Sequence, residues 1–314
     1  MKILYLLLST VYCFQIKPII KPNLKLYSSP NNKLNDYLDL IRYENILPTT
    51  LLNLSGGWIM NPSIDLFLNK PFLISIINTL LIMSSSMILN DIYDIDIDKI
   101  NNPTRPLVSG KISMNEAKIL VVCLLGLTEI LSNSFLDTNL NLIIQLSIIN
   151  VIIYTPIFKK ITFVKNISCA SLVAFSPIFS GLAANINNNY NLLYILSGMI
   201  FIGSLFCEIL LDICDKNGDE ENNIITIPIK YGDDITLKIT CIILIINIIF
   251  IFTSITYNYD VEHGIILPII FSNIFNDLNN IKESNYSNSL IRKTTMNTNL
   301  YLFVSLIYLY SLSK

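Results

Sequence analysis

Apolar stretches long enough to cross a bilayer follow one another through most of this chain, at about 47–67, 72–90, 117–135, 141–158, 167–186, 192–212, 236–256, 263–279 and 298–312. A helix needs roughly 20 apolar residues to span the hydrocarbon core, and only structures that satisfy their own backbone N–H and C=O groups persist there. The repetition therefore predicts an all-α fold, a multi-spanning transmembrane helical bundle of eight or nine helices. The eighth stretch carries Pro268 and Asn273 and the ninth is short, so these two are the weakest spans. Composition agrees with a chain dissolved mainly in lipid. Only 14% of the 314 residues are charged, against about a quarter in a soluble domain, and the mean hydropathy of +0.56 is too high for one anchor helix on a soluble body. A soluble globular enzyme is thereby excluded.

The same arithmetic removes other classes of function. A net charge of −2 offers no basic face for nucleic acid, and the single histidine, His263, cannot supply a His-rich metal site. Six cysteines (Cys13, Cys123, Cys169, Cys207, Cys214, Cys241) form no CxxC pair and sit mostly inside apolar runs, where they read as small packing residues.

Numbering the spans assigns each loop to a side. Nearly all the lysines and arginines from Lys33 to Lys293 fall on one face, whereas the other holds only Lys70 and the terminal Lys314, together with Asp137, Asp260 and Glu262. This asymmetry follows the positive-inside rule and turns the basic face toward the cytosol, stroma or matrix. Ahead of the spans, Lys2 precedes an apolar stretch from Ile3 to Cys13 that is too short to cross and reads as a signal-peptide core. Lys17, Lys21 and Lys25 follow, with no acid before Asp36. Residues 1–36 thus read as a targeting segment. They resemble the two-part plastid address of algae with complex red-derived plastids, whose signal peptide ends before a phenylalanine, here Phe14; a mitochondrial presequence is the alternative. No linker divides residues 37–314, which read as one membrane domain.

The chemistry is concentrated where two of the spans end. Span 2 closes in NDIYDIDID, with Asn90, Asp91, Asp94 and Asp98 spaced so that the three carboxylates share one face of a continuing helix, while Asp96 points elsewhere. Span 6 closes in EILLDICDKNGDEE, where Asp212, Asp215 and Asp219 repeat the spacing and Glu208 lies one turn earlier. Four crossings separate the clusters, which places both on the basic face. Carboxylates at membrane helix ends repel one another and are expensive to desolvate, so they mark a site whose partners are cations. Hard oxygen ligands on two facing helices suit Mg²⁺, which takes one or two protein carboxylates and completes its shell with water and phosphate oxygens. An EF-hand-like calcium loop is ruled out because the glycine and the terminal glutamate of this segment stand at the wrong offsets.

The two motifs, each with its following segment (NNPTRPLVSGKIS and NNIITIPIKYG), resemble those of the UbiA-type intramembrane prenyltransferases. RYEN before span 1, with Arg42 and Asn45, and YTPIFKK after span 4, with Tyr154, Lys159 and Lys160 followed by Lys165 and Asn166, are similar to further motifs of that family. The resemblance covers about residues 40–240. It implies a nine-helix bundle with its site near one membrane face, and transfer of a polyprenyl group from an isoprenyl diphosphate donor to a lipophilic acceptor. Asp91, Asp94, Asp98, Asp212, Asp215 and Asp219 are then expected to hold Mg²⁺, which with Asn90 forms the catalytic set. Arg42, Asn45, Arg105, Tyr154, Lys159, Lys165 and Glu208 are expected to bind substrate. Arg105 stands where homogentisate prenyltransferases usually show leucine, and Asp212 stands where chlorophyll synthases tend to show asparagine. An aromatic quinone precursor is the first expectation for the acceptor, with chlorophyll synthase-like or digeranylgeranylglyceryl phosphate synthase-like transfer as alternatives. A polytopic transporter is the alternative of another class; it predicts an inverted repeat, and the repeat here is parallel.

Overall fold

The computed structural model describes residues 33–184 and 190–312, and the regular structure among these residues is entirely helical. Residues 1–32 of the expected targeting segment lie outside the described residues. The α-helices in order are α1 (Lys33–Leu40), α2 (Ile46–Met60), α3 (Lys70–Tyr93), α4 (Ile95–Asn101), α5 (Met114–Phe135), α6 (Thr138–Tyr154), α7 (Val164–Ala184), α8 (Tyr190–Glu221), α9 (Ile227–Tyr231), α10 (Asp233–Asn258), α11 (Val261–Ser272), α12 (Ile274–Glu283) and α13 (Asn288–Leu312). Each of the nine expected spans corresponds to one of these helices or to a pair of them. By length and apolarity, α3, α5, α7, α8 and α10 suffice to cross a membrane.

The departures from expectation have local causes. Hydropathy carries the first span to 67, but α2 stops at Met60, where Asn61, Pro62 and Ser63 interrupt it, and a short 3₁₀ turn over Ile64–Leu68 follows. The eighth splits at Asn273 into α11 and α12, and the ninth begins ten residues early because α13 extends through the polar segment Asn288–Asn297.

Helix starts on the sparsely charged face are set by caps. Asn69 accepts from the Phe72 N–H to open α3, Asp137 accepts from Leu140 to open α6, and Asp260 accepts from His263 to open α11. The acids that lack basic neighbours on that face are therefore largely capping groups, satisfying N–H donors that a helix leaves unpaired.

Packing organises the bundle around α8, the most enclosed of the spanning helices, whereas α5 is outermost. Leu192, Leu193, Leu196, Met199 and Phe206 of α8 are buried in the largest core cluster. Facing outward, Ile119, Val122, Ile130, Leu146, Ile149, Ile242 and Ile249 form an exposed apolar surface, as expected where lipid is the solvent. Helices α2 and α7 approach so closely that a Cβ on Gly56 would lie 2.0 Å from the Pro177 carbonyl oxygen, and on its neighbouring face α2 meets α3, where a Cβ on Gly57 would lie 2.1 Å from the Phe72 ring. Small residues permit this backbone contact, the usual route to tight packing between membrane helices.

Candidate active site

Helix α3 ends at Tyr93, Asp94 leaves helical geometry, and α4 restarts at Ile95. The first triplet therefore does not ride on one uninterrupted helix, as its spacing predicts. Aspartate is a poor interior helix residue because its side chain competes for backbone groups, and the Asp94 carboxylate is also drawn to the Lys159 ammonium by an ion pair. The break is slight: the N–H groups of Asp94, Asp98 and Asn102 still donate to carbonyls four residues back. The second triplet does lie on continuous helix, since α8 runs through Asp212, Asp215 and Asp219.

Basic side chains gather the first triplet. Arg105 donates to Asp91 at 2.8 Å and also pairs with Asp98, while Arg42 reaches Asp91 at 2.9 Å. Asp91 and Asp98 are almost fully buried. Burial pushes the Asp98 carboxyl above the usual Asp range, with Arg105 opposing the shift and the Asp91 charge adding to it. In the second triplet, Lys165 holds Asp212 at 2.8 Å and Asp219 at 3.3 Å, and Asn166 Nδ2 donates to Asp212 at 3.0 Å. The two triplets meet: α4 packs on α8, and the Lys159 charge that pairs with Asp94 also acts on Asp215. Asp96, by contrast, is exposed and pairs only with Lys99.

A cavity of ≈ 220 Å³ opens beside the clusters. Asn90, Tyr154 and Glu208 form its cluster end, and Ile82, Ile144, Leu172, Val173, Phe175 and Phe179 give it apolar walls. Along α3 it extends from Asn90 back to Thr79, roughly 16 Å at the helical rise. Asn90 is fixed by a hydrogen bond to its Oδ1 from the Thr155 hydroxyl at 2.6 Å.

The structure thus brings together Arg42, Asn90, Asp91, Asp94, Asp98, Arg105, Tyr154, Lys159, Lys165, Glu208, Asp212, Asp215 and Asp219. Asn45 is not tied in: it sits at the start of α2 without a side-chain cap there. Tyr93 is 56% exposed and is not among the residues that line the cavity. Two contributors escaped sequence reasoning. Thr155 carries no signal beyond its place next to Tyr154. Arg292, whose charge reaches Asp215, reads as an ordinary loop cation until α13 is seen to begin at Asn288.

Six aspartates face four direct basic partners, Arg42, Arg105, Lys159 and Lys165, leaving an excess of negative charge. No ready-made cage of three or more acidic, His or Cys ligands exists among the described residues. A hard divalent cation still fits this donor set, because it requires only one or two carboxylates when phosphate and water supply the remaining oxygens.

A helical membrane bundle with paired acidic helix ends over an apolar cavity defines a class, intramembrane enzymes that handle a charged head and a lipid tail together. The chain belongs to the UbiA prenyltransferase family, whose model matches residues 47–284. It is 31% identical over 239 residues to a digeranylgeranylglyceryl phosphate synthase of Saccharolobus solfataricus, covering 76% of this chain and 83% of that protein. It is 34% identical over 210 residues to the synthase of Methanococcus aeolicus, covering 64% and 70%. A solved chain described as digeranylgeranylglyceryl phosphate synthase in membranes matches with a TM-score of 0.70 at 25% identity, over 90% of this chain and 99% of that one. A UbiA homolog from Archaeoglobus fulgidus, bound to DMAPP and Mg²⁺, shares the fold with a TM-score of 0.64 at 20% identity, over 87% and 99%. The protein is an integral, multi-pass membrane prenyltransferase, and the transporter alternative is set aside.

Proposed function

We propose that this enzyme moves a polyprenyl group from its diphosphate to the hydroxyl of a glyceryl phosphate lipid, within a single domain spanning residues 37–314. This is the alternative acceptor of the sequence reading, preferred over the aromatic quinone precursor. It is supported by relatives of that named activity in several archaea at 29–34% identity. The observation that carries the reading is the meeting of two aspartate triplets at the mouth of a long apolar cavity.

In this reading the diphosphate lies between the triplets and the prenyl tail runs into the cavity toward Phe179. Asp91, Asp94 and Asp98 with Asp212, Asp215 and Asp219 are the residues that would hold Mg²⁺, which would supply the charge neutralisation that makes diphosphate a competent leaving group. Arg105, already shared between two carboxylates, presents a planar fork suited to phosphate oxygens, and Arg42, Lys159 and Lys165 add positive charge beside it. As the allylic C–O bond breaks, negative charge grows on oxygens within reach of these groups while the cationic carbon faces Asn90 and Tyr154. The apolar walls keep water away from that carbon.

Membranes containing the enzyme, labelled geranylgeranyl diphosphate and Mg²⁺ are the test, with geranylgeranylglyceryl phosphate, homogentisate, 4-hydroxybenzoate and chlorophyllide offered in turn. Label entering an ether lipid supports the reading; label entering an aromatic or chlorophyllide acceptor instead overturns it. The plastid address, with the mitochondrion as its alternative, rests on residues 1–36 alone. Fusing them to a fluorescent reporter in an alga with complex plastids tests it, and cytosolic or mitochondrial fluorescence would refute the plastid assignment.

A further inference from the structure

We propose that Glu208 is the general base of the transfer, accepting the hydroxyl proton of the acceptor as that oxygen bonds to the allylic carbon. The inference rests on the alcohol-acceptor reading above. Glu208 lies on α8 one turn before Asp212 and lines the cavity beside Asn90, Tyr154 and Cys169. Its situation differs from that of five of the six aspartates; Asp215, the sixth, also lacks a direct partner among the described residues, but it lies two turns further along α8, under the Lys159 and Arg292 charges. Asp91, Asp94, Asp98, Asp212 and Asp219 each hold an arginine or lysine, whereas the Glu208 carboxylate has neither an ion-pair nor a hydrogen-bond partner among the described residues and faces into the cavity. An unpaired carboxylate inside a membrane bundle is costly and is retained where it serves a proton or a ligand.

Position fixes which proton. The diphosphate belongs with the paired aspartates, and the reacting carbon sits where the cavity begins. Glu208 is the carboxylate on the cavity side of that boundary. An alcohol is a weak nucleophile while it keeps its proton, and a base beside it lets bonding and proton loss proceed together. In the balanced step, the bond from the allylic carbon to the diphosphate oxygen breaks and its electron pair departs with diphosphate. The acceptor oxygen forms the new C–O bond and passes its proton to a Glu208 oxygen, giving an ether, diphosphate and a neutral Glu208 that returns its proton to solvent when products leave. The titratable groups around it are Tyr154 from α6, Lys165 and Cys169 from α7, and Cys207, Asp212 and Asp215 on α8.

The full-length enzyme in lipid nanodiscs, with Mg²⁺, geranylgeranyl diphosphate and geranylgeranylglyceryl phosphate, tests the assignment through Glu208→Gln and Glu208→Asp. General-base loss is expected to lower kcat by about 100-fold or more in Glu208→Gln. The loss should fall on kcat rather than on the donor KM. The acidic limb of the kcat profile should vanish in Glu208→Gln and persist in Glu208→Asp, which also serves if the glutamine variant fails to fold. Glu208→Gln transferring at close to the wild-type rate would overturn the proposal, as would a loss carried by the donor KM with kcat unchanged. If the wild-type enzyme itself makes no ether product, the alcohol-acceptor reading fails; if wild type makes it and Glu208→Gln does too, only the base assignment fails.

Discussion

Lys165→Met removes the one cation that serves the second aspartate triplet directly while keeping a side chain of similar length. Lys165 contacts Asp212 at 2.8 Å and Asp219 at 3.3 Å, and its side chain is 11% exposed. Without it, Asp212 keeps the Asn166 hydrogen bond, whereas Asp219 keeps no side-chain partner among the described residues. Removing one member of a buried ion pair costs about 3–5 kcal/mol; the surviving Asn166 bond and the residual exposure place this case near the lower end, about 3 kcal/mol. At roughly 2–4 °C per kcal/mol for a chain of this order of size, thermal unfolding in detergent with EDTA should fall by about 6–12 °C. Mg²⁺ should then rescue the variant selectively, because a dication between Asp212 and Asp219 replaces the missing charge, and saturation at about 100 times Kd returns about 2.7 kcal/mol. Wild type, whose carboxylates are already paired, should gain less. An unchanged melting temperature in EDTA would refute the neutralising role of Lys165. Equal Mg²⁺ shifts in the two proteins would refute the selective rescue, and no shift in either would refute metal binding at these carboxylates.

Two further changes probe the fold and the selectivity of the acidic motif. Gly56→Ala drives a methyl group into the Pro177 backbone, so the α2–α7 contact must open; a destabilisation of about 1–3 kcal/mol should appear as a lower melting temperature and less monodisperse protein on size exclusion, and a wild-type melting curve would contradict the packing. Asp96→Asn alters an aspartate embedded in the first motif but exposed and paired only with Lys99. An exposed pair of this kind contributes about 0–1 kcal/mol, so prenyl transfer should stay within about twofold of wild type, and a large loss would show that the wrong faces of α4 have been assigned.

Much of this architecture was legible because lipid imposes a strict length and composition on each span, and because the spacing of Asp212, Asp215 and Asp219 survives intact on one long helix. The first triplet was legible as a cluster but not as a shape, since the break at Asp94 depends on a lysine 65 residues away in sequence. Ends of spans were harder to read. Helix α2 stops early at an Asn-Pro-Ser turn, and α13 begins in polar sequence that hydropathy alone reads as loop, which conceals Arg292. The pairing of Arg105 with both Asp91 and Asp98, the Thr155 hydroxyl on Asn90 and the isolation of Glu208 all depend on which helices become neighbours, and no local pattern encodes that.

The central claim is that the two aspartate triplets act together on one diphosphate. It is tested most directly by measuring prenyl transfer in membranes carrying Asp94→Ala or Asp215→Ala, one substitution from each triplet, with insertion verified for both. Each change alone is predicted to abolish transfer of label from geranylgeranyl diphosphate while the protein remains in the membrane. Near-normal transfer by either variant would contradict the account.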